Sequence, residues 1–94
     1  MNLNARQLKA IEDFGYRLIS PALTAINIDV DEIELAQAIR TPGTQARNAY
    51  YRGYLRQTIE LREAIIKSAH NGSNPAQTEM LKFLADALNK LKYE

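Results

Sequence analysis

The side chains best suited to chemistry or binding cluster in the second half of the chain. Arg47-Asn48-Ala49-Tyr50-Tyr51-Arg52-Gly53-Tyr54-Leu55-Arg56 interleaves arginine with tyrosine. That composition suits phosphate contact with base stacking, and it equally suits protein interfaces, where the same two residue types are enriched. Arg47, Arg52 and Arg56 are therefore candidate DNA contacts, with Arg40 upstream. Ala49, Tyr50, Tyr51, Gly53 and Tyr54 are candidate interface residues. Ala49 and Gly53, four apart, lie on one helical face and would let another helix approach closely. Packing of Tyr50 and Tyr54 against the preceding helices is the competing structural role.

A second cluster, Glu60 and Glu63 with Arg56, Arg62 and Lys67 around them, has the residue types of a carboxylate site. Glu63 and Lys67 stand in the favourable order for an i,i+4 ion pair, and a solvated, self-neutralised face explains the cluster without catalysis. His70 has no obvious acid or metal partner and falls where an imidazolium would complement a helix C-terminus. With no cysteine and one histidine, neither a thiolate nor a two-imidazole metal site is expected. No phosphate-cradling glycine loop or nucleophile elbow is present. The expectation is a protein that is not an enzyme, needs no cofactor and acts by binding.

These residues must be held by a fold of 94 residues, 46% hydrophobic and 24% charged, which is globular composition with room for one core. Net charge is +1, unevenly spread. Residues 1–40 carry four basic and six acidic side chains, residues 41–94 eight and five, so affinity for nucleic acid is expected in the second half. No apolar run is long enough to span a bilayer and no signal-peptide pattern opens the chain, which leads to the expectation of a cytoplasmic protein, in the host cytoplasm if phage-encoded, with no membrane partner.

The spacing predicts an all-α protein of three short helices and a long antiparallel helical hairpin. Asn4 and Gln7 form a capping box for a helix over about 4–15, with Leu3 and Leu8 as a staple, Leu8, Ile11 and Phe14 inward, and an end near Gly15. Ser20-Pro21 opens a short helix to Ile26, which a left-handed Asn27 ends. Asp29 and Glu32 cap a third helix from Val30 to Arg40, with Ile33, Ala36 and Ile39 inward. Thr41-Pro42-Gly43-Thr44 breaks the pattern and is the candidate hinge between residues 1–41 and 45–94, whether these form one domain or two linked halves. Gln45–His70 reads as one long helix, stopped at Asn71-Gly72. Asn74 opens the last, whose stripe is Gln77, Met80, Leu81, Leu84, Leu88 and Leu91.

The short helices of 20–40 have helix-turn-helix-like spacing, but Asp29-Val30-Asp31-Glu32-Ile33-Glu34 sets four carboxylates where a recognition helix meets phosphate. The third helix is therefore expected to be a poor probe of the major groove.

The order of Ser20-Pro21-Ala22-Leu23-Thr24-Ala25-Ile26-Asn27-Ile28-Asp29-Val30-Asp31-Glu32-Ile33, then Ala49-Tyr50-Tyr51-Arg52-Gly53-Tyr54-Leu55, Glu60-Leu61-Arg62-Glu63-Ala64-Ile65-Ile66-Lys67-Ser68-Ala69 and Asn71-Gly72-Ser73-Asn74-Pro75-Ala76-Gln77 resembles phage-encoded terminase small subunits. The pattern is a degenerate helix-turn-helix, a helix with an "AY-x-x-G" start and an "LR" middle, and a "GS-x-x-A" turn into a final helix, over about residues 5 to 88. The resemblance implies a non-enzymatic DNA-packaging adaptor, a ring-forming homo-oligomer built through the hairpin, with double-stranded viral DNA and the large terminase subunit as partners. Two other readings remain: a helical protein-protein interaction module that never touches DNA, and a small helix-turn-helix transcriptional regulator.

Overall fold

The N-terminal capping box forms as the spacing requires: Asn4 Oδ1 accepts the backbone N–H of Gln7 at 2.8 Å, and Gln7 Oε1 accepts that of Asn4 at 3.0 Å. It opens helix α1 (Ala5–Tyr16), which is followed by α2 (Pro21–Asn27), α3 (Glu32–Arg40), α4 (Gln45–His70) and α5 (Asn74–Tyr93). The computed structural model describes the backbone of residues 1–93 and the side chains of residues 1–90. Among the described residues the chain is all-α, without a strand. No helix among them is long and apolar enough to cross a membrane.

The chain divides into two compact units, Met1–Thr58 and Ile59–Glu94, with the boundary inside α4. The Thr41–Thr44 turn lies within the first. There Gly43 takes φ +86°, and the Thr44 hydroxyl accepts the N–H of Arg47 at 3.1 Å while donating to the Ala38 carbonyl, so the residue that caps α4 also ties it to α3.

Unit 1 is organised around Ile11, Ala25, Leu35, Ile39, Ala46 and Ala49, with Leu3, Leu8, Ile28, Val30, Ala38 and Tyr50 packed against them. α1 ends at Tyr16, near Gly15 as expected, and Gly15 is also a contact point, because a Cβ there would lie 2.1 Å from the Tyr50 carbonyl oxygen. Three local expectations are corrected. Asn27 does not take the left-handed conformation. It is the last residue of α2, and Asp29 takes it instead, at φ +57°, a region where a short polar side chain is tolerated. The Val30 N–H then donates to the Ala25 carbonyl at 3.1 Å, so residues 28–30 close α2 rather than open α3. As a result α3 starts at Glu32, capped by Asp31, whose carboxylate accepts the Glu34 N–H at 2.8 Å. Its inward pair is Leu35 and Ile39, while Ile33, expected inside, is 69% exposed.

In unit 2, α4 stops at Asn71-Gly72 as expected, with Gly72 at φ +93°. The cap of α5 is Ser73 rather than Asn74: its hydroxyl accepts the Ala76 N–H at 3.4 Å. The chain then returns on itself. Gln77 Nε2 donates to the Ala69 carbonyl at 3.1 Å, and the Arg62 guanidinium lies 4.5 Å over the Phe83 ring. Among the described residues only Ala69 and Ala76 are buried in this unit. Leu81, Leu84 and Leu88 of the expected inward stripe are 66%, 53% and 68% exposed, and the Leu91 side chain lies outside the described residues.

Candidate interaction surfaces

The Arg/Tyr segment begins α4 inside unit 1, and the 3.6-residue period separates its members onto different faces. Ala49 and Gly53 are buried. The helix that Gly53 admits is α1 of the same chain, since a Cβ at 53 would lie 1.9 Å from the Glu12 carbonyl oxygen and 2.7 Å from the Tyr16 nitrogen. With Gly15 against Tyr50, two glycines let α1 and α4 cross backbone to backbone. The close approach that Ala49 and Gly53 were expected to offer an outside partner is thus taken up internally.

Arg52 and Arg56, one turn apart, both reach Glu12 of α1, at 3.5 and 3.6 Å, and Lys9 joins the same carboxylate at 3.5 Å. Arg56 also lies 4.5 Å over the Tyr16 ring. The Glu12 side chain is only 15% exposed, so this carboxylate is the enclosed centre of a cationic ring. A cleft of about 330 Å³ beside it is lined by Leu8, Lys9, Glu12, Gln45, Asn48, Ala49 and Arg52, two cations against one carboxylate. Glu12 was missed from the sequence. The available signal was Gly15, one turn further along the same helix, a small residue inside an otherwise regular α1.

Arg47 points elsewhere: it donates to the Ile39 carbonyl at 2.9 Å, at the C-terminal end of α3, and its guanidinium lies 4.9 Å from the Tyr51 ring centroid. Arg40 is exposed in the last turn of α3. The four candidate DNA contacts therefore do not share a face: Arg52 and Arg56 meet on α1, while Arg47 lies against the end of α3.

The three tyrosines also divide. Tyr50 is half-buried and donates its hydroxyl to the Ile19 carbonyl at 2.8 Å; burial, and then the proximity of Tyr51 and Tyr54, push its pKa upward. Tyr51 and Tyr54 are exposed, stacked edge to face in a run from Tyr50, with centroids 5.5 and 6.0 Å apart. With exposed Leu55 they leave an aromatic and apolar patch open on α4.

The second surface belongs to unit 2, where Ile59, Leu61, Ile66, Leu81, Leu84 and Leu88 are all exposed. Its ion pairs include Lys82 with Glu79 at 3.1 Å and Lys90 with Asp86 at 3.6 Å, both between exposed side chains. No family model matches the chain, and neither does any curated protein or solved structure.

Proposed function

We propose that the protein is a non-enzymatic, self-assembling helical adaptor of the terminase small-subunit kind. In this reading α2 and α3 form a degenerate helix-turn-helix pair, and residues 45–94 form a hairpin through which copies meet. The observation that carries it is the exposed apolar surface of unit 2. A two-helix unit with two buried alanines does not satisfy its own leucines and isoleucines, and contiguous exposed apolar surface marks an interaction site. Molar mass by light scattering over a wide concentration range is the test: a ring of many subunits supports the adaptor, a dimer favours a small regulator, and a monomer at every concentration sinks the adaptor.

Viral DNA and the large terminase subunit are the partners that the resemblance implies, with Arg40, Arg47, Arg52 and Arg56 as proposed DNA contacts. The rival, a protein-interaction module with no DNA partner, is favoured by the pairing of Arg52 and Arg56 with Glu12 while Tyr51, Tyr54 and Leu55 stay open. Fluorescence anisotropy on duplex DNA at low and moderate salt separates the two. Salt-sensitive binding that weakens in the Arg47→Ala/Arg52→Ala/Arg56→Ala variant supports the packaging role. Absence of binding supports the module.

A further inference from the structure

We infer that the cleft between α1 and the first turns of α4 is a seat for a terminal phosphate, a phosphomonoester carried by a small molecule or by the end of a nucleic-acid strand. The helix crossing makes the cleft. At Gly15 and Gly53 the backbones of α1 and α4 all but touch, and on the N-terminal side of that crossing the two helices part and leave a wedge open. Lys9 and Glu12 line it from α1, and Gln45, Asn48 and Arg52 from α4. The three α4 residues are spaced i, i+3 and i+7, which keeps them within about 60° of one another on one face of the helix. A volume of about 330 Å³ is at the small end for a ligand site and suits one tetrahedral group with its ester substituent.

The donors in this wedge are largely free. Among the described residues neither the Gln45 nor the Asn48 side-chain amide has a hydrogen-bond partner, and both side chains are exposed. Arg52 reaches the Glu12 carboxylate at 3.5 Å with its side chain 68% exposed, which leaves most of its N–H donors open. Glu12 does not depend on Arg52, because Lys9 and Arg56 bind the same carboxylate. Arg52 is therefore able to turn to an incoming anion while Glu12 stays neutralised. Lys9 also holds Asp13, so three cations stand against two carboxylates. No acid occurs between residues 45 and 59 to cancel the excess, and the positive end of the 26-residue α4 adds to it.

The donor set selects the anion. Lys9, Gln45, Asn48 and Arg52 surround one space from two helices, so the acceptor needs oxygens pointing in more than two directions. A carboxylate has two, in one plane. A terminal phosphate offers three and carries close to two negative charges, enough to draw Arg52 from its long contact with Glu12.

The full chain is titrated with inorganic phosphate at constant ionic strength, and the side-chain amide signals of Gln45 and Asn48 are followed by NMR. A saturable shift of both is expected, and none with acetate. Asn48→Asp and Lys9→Gln, read on Gln45, are each expected to weaken phosphate binding about tenfold or more, with helix content by circular dichroism unchanged. Lys82→Gln, which removes an exposed cation from unit 2, is expected to leave it unchanged. Two duplexes then distinguish the carriers. A terminally phosphorylated duplex that binds about tenfold tighter than its hydroxyl-ended counterpart, with the difference lost in Asn48→Asp, identifies the strand end. Equal binding of the two beside saturable phosphate binding identifies a small phosphate ester. A titration without saturation, a shift produced equally by acetate, or one indifferent to both Asn48→Asp and Lys9→Gln overturns the site. Each does so whether or not the chain self-assembles or binds DNA through its other arginines.

Discussion

Residues 1–58 and residues 59–90 are both helical and both leave large apolar side chains exposed, Leu23, Ile26, Ile33 and Leu55 among those of the first, yet among the described residues only the first encloses large ones completely. In the first unit Ile11, Thr24 and Leu35 are wholly enclosed, and α1 meets α4 at a distance only glycine permits. In the second, the large apolar side chains Ile59, Leu61, Ile66, Leu81, Leu84 and Leu88 are left facing outward. Caps and turns of similar quality open the helices of both units, with Asn4, Ser20, Asp31 and Thr44 in one and Ser73 in the other. Capping and propensity thus account for helix, and enclosure needs a third element against which two helices can close. The first unit supplies that element itself; in the second, Leu81, Leu84 and Leu88 stay exposed.

The largest effect expected from this contrast is at Gly53. A methyl group there meets the backbone of Glu12 and Tyr16, which cannot turn aside as a side chain does, so α1 and α4 must separate. Gly53→Ala should cost about 3 kcal/mol, at the upper end for overpacking, read as a lowered urea midpoint. The paired comparison is Leu35→Ala against Leu84→Ala at concentrations where the chain is monomeric. The first should cost about 3 kcal/mol and the second under about 0.5 kcal/mol. Equal losses at the two leucines would erase the distinction between the units.

Much of this organisation is legible in the residue order, and the failures have a common cause. Ser20-Pro21, Thr44, Asn71-Gly72 and the Asn4/Gln7 box act locally, through backbone groups a few residues away, and each stands where the spacing puts it. The start of α3 is missed by two residues because Asp29 takes the left-handed turn in place of Asn27; both residues suit it, and a tertiary fit decides between them. Leu35 is missed as a core residue for the same reason, its place depending on where α3 lands. Gly15 is legible as marking the end of α1, and its contact with Tyr50 exists only once α4 is laid across α1. The arginine and tyrosine segment is legible as a binding-prone composition. Its division into Arg52 and Arg56 on Glu12, Arg47 on Ile39 and an open Tyr51–Tyr54 patch is not, since Glu12 belongs to a distant helix and the Ile39 carbonyl comes within reach only through the turn that sets α3 against α4.

A smaller effect sharpens the contrast within the tyrosines. Tyr50→Phe removes the hydroxyl donated to the Ile19 carbonyl and should cost about 1 kcal/mol, whereas Tyr54→Phe, exposed, should be close to neutral. The Tyr50 hydroxyl also links stability to pH. Because burial raises the Tyr50 pKa in the folded chain, the folded state holds this proton more tightly than the unfolded chain does. The resulting stability is fully present below the unfolded value of about 10 and is lost as pH rises through the raised folded value. Denaturation midpoints taken upward from pH 9 should fall more steeply in wild type than in Tyr50→Phe. Parallel curves would remove Tyr50 as the cause.

The smallest expected effect lies at Glu12, where the stability and binding roles of unit 1 meet. Arg52, Arg56 and Lys9 are well exposed at their own ends, so solvent screens each pair, and Glu12→Gln should cost only about 1 kcal/mol in total. That difference should shrink in 1 M salt, where charges are screened within about 3 Å. The same substitution has a second readout of greater consequence. With the carboxylate neutralised, Arg52 and Arg56 keep their charge and lose the partner that competes with a phosphate. If these arginines serve DNA, Glu12→Gln should tighten duplex binding and steepen its salt dependence, the reverse of removing the arginines. If they serve only to hold α4 on α1, anisotropy with DNA should be the same in wild type and variant while the stability loss persists.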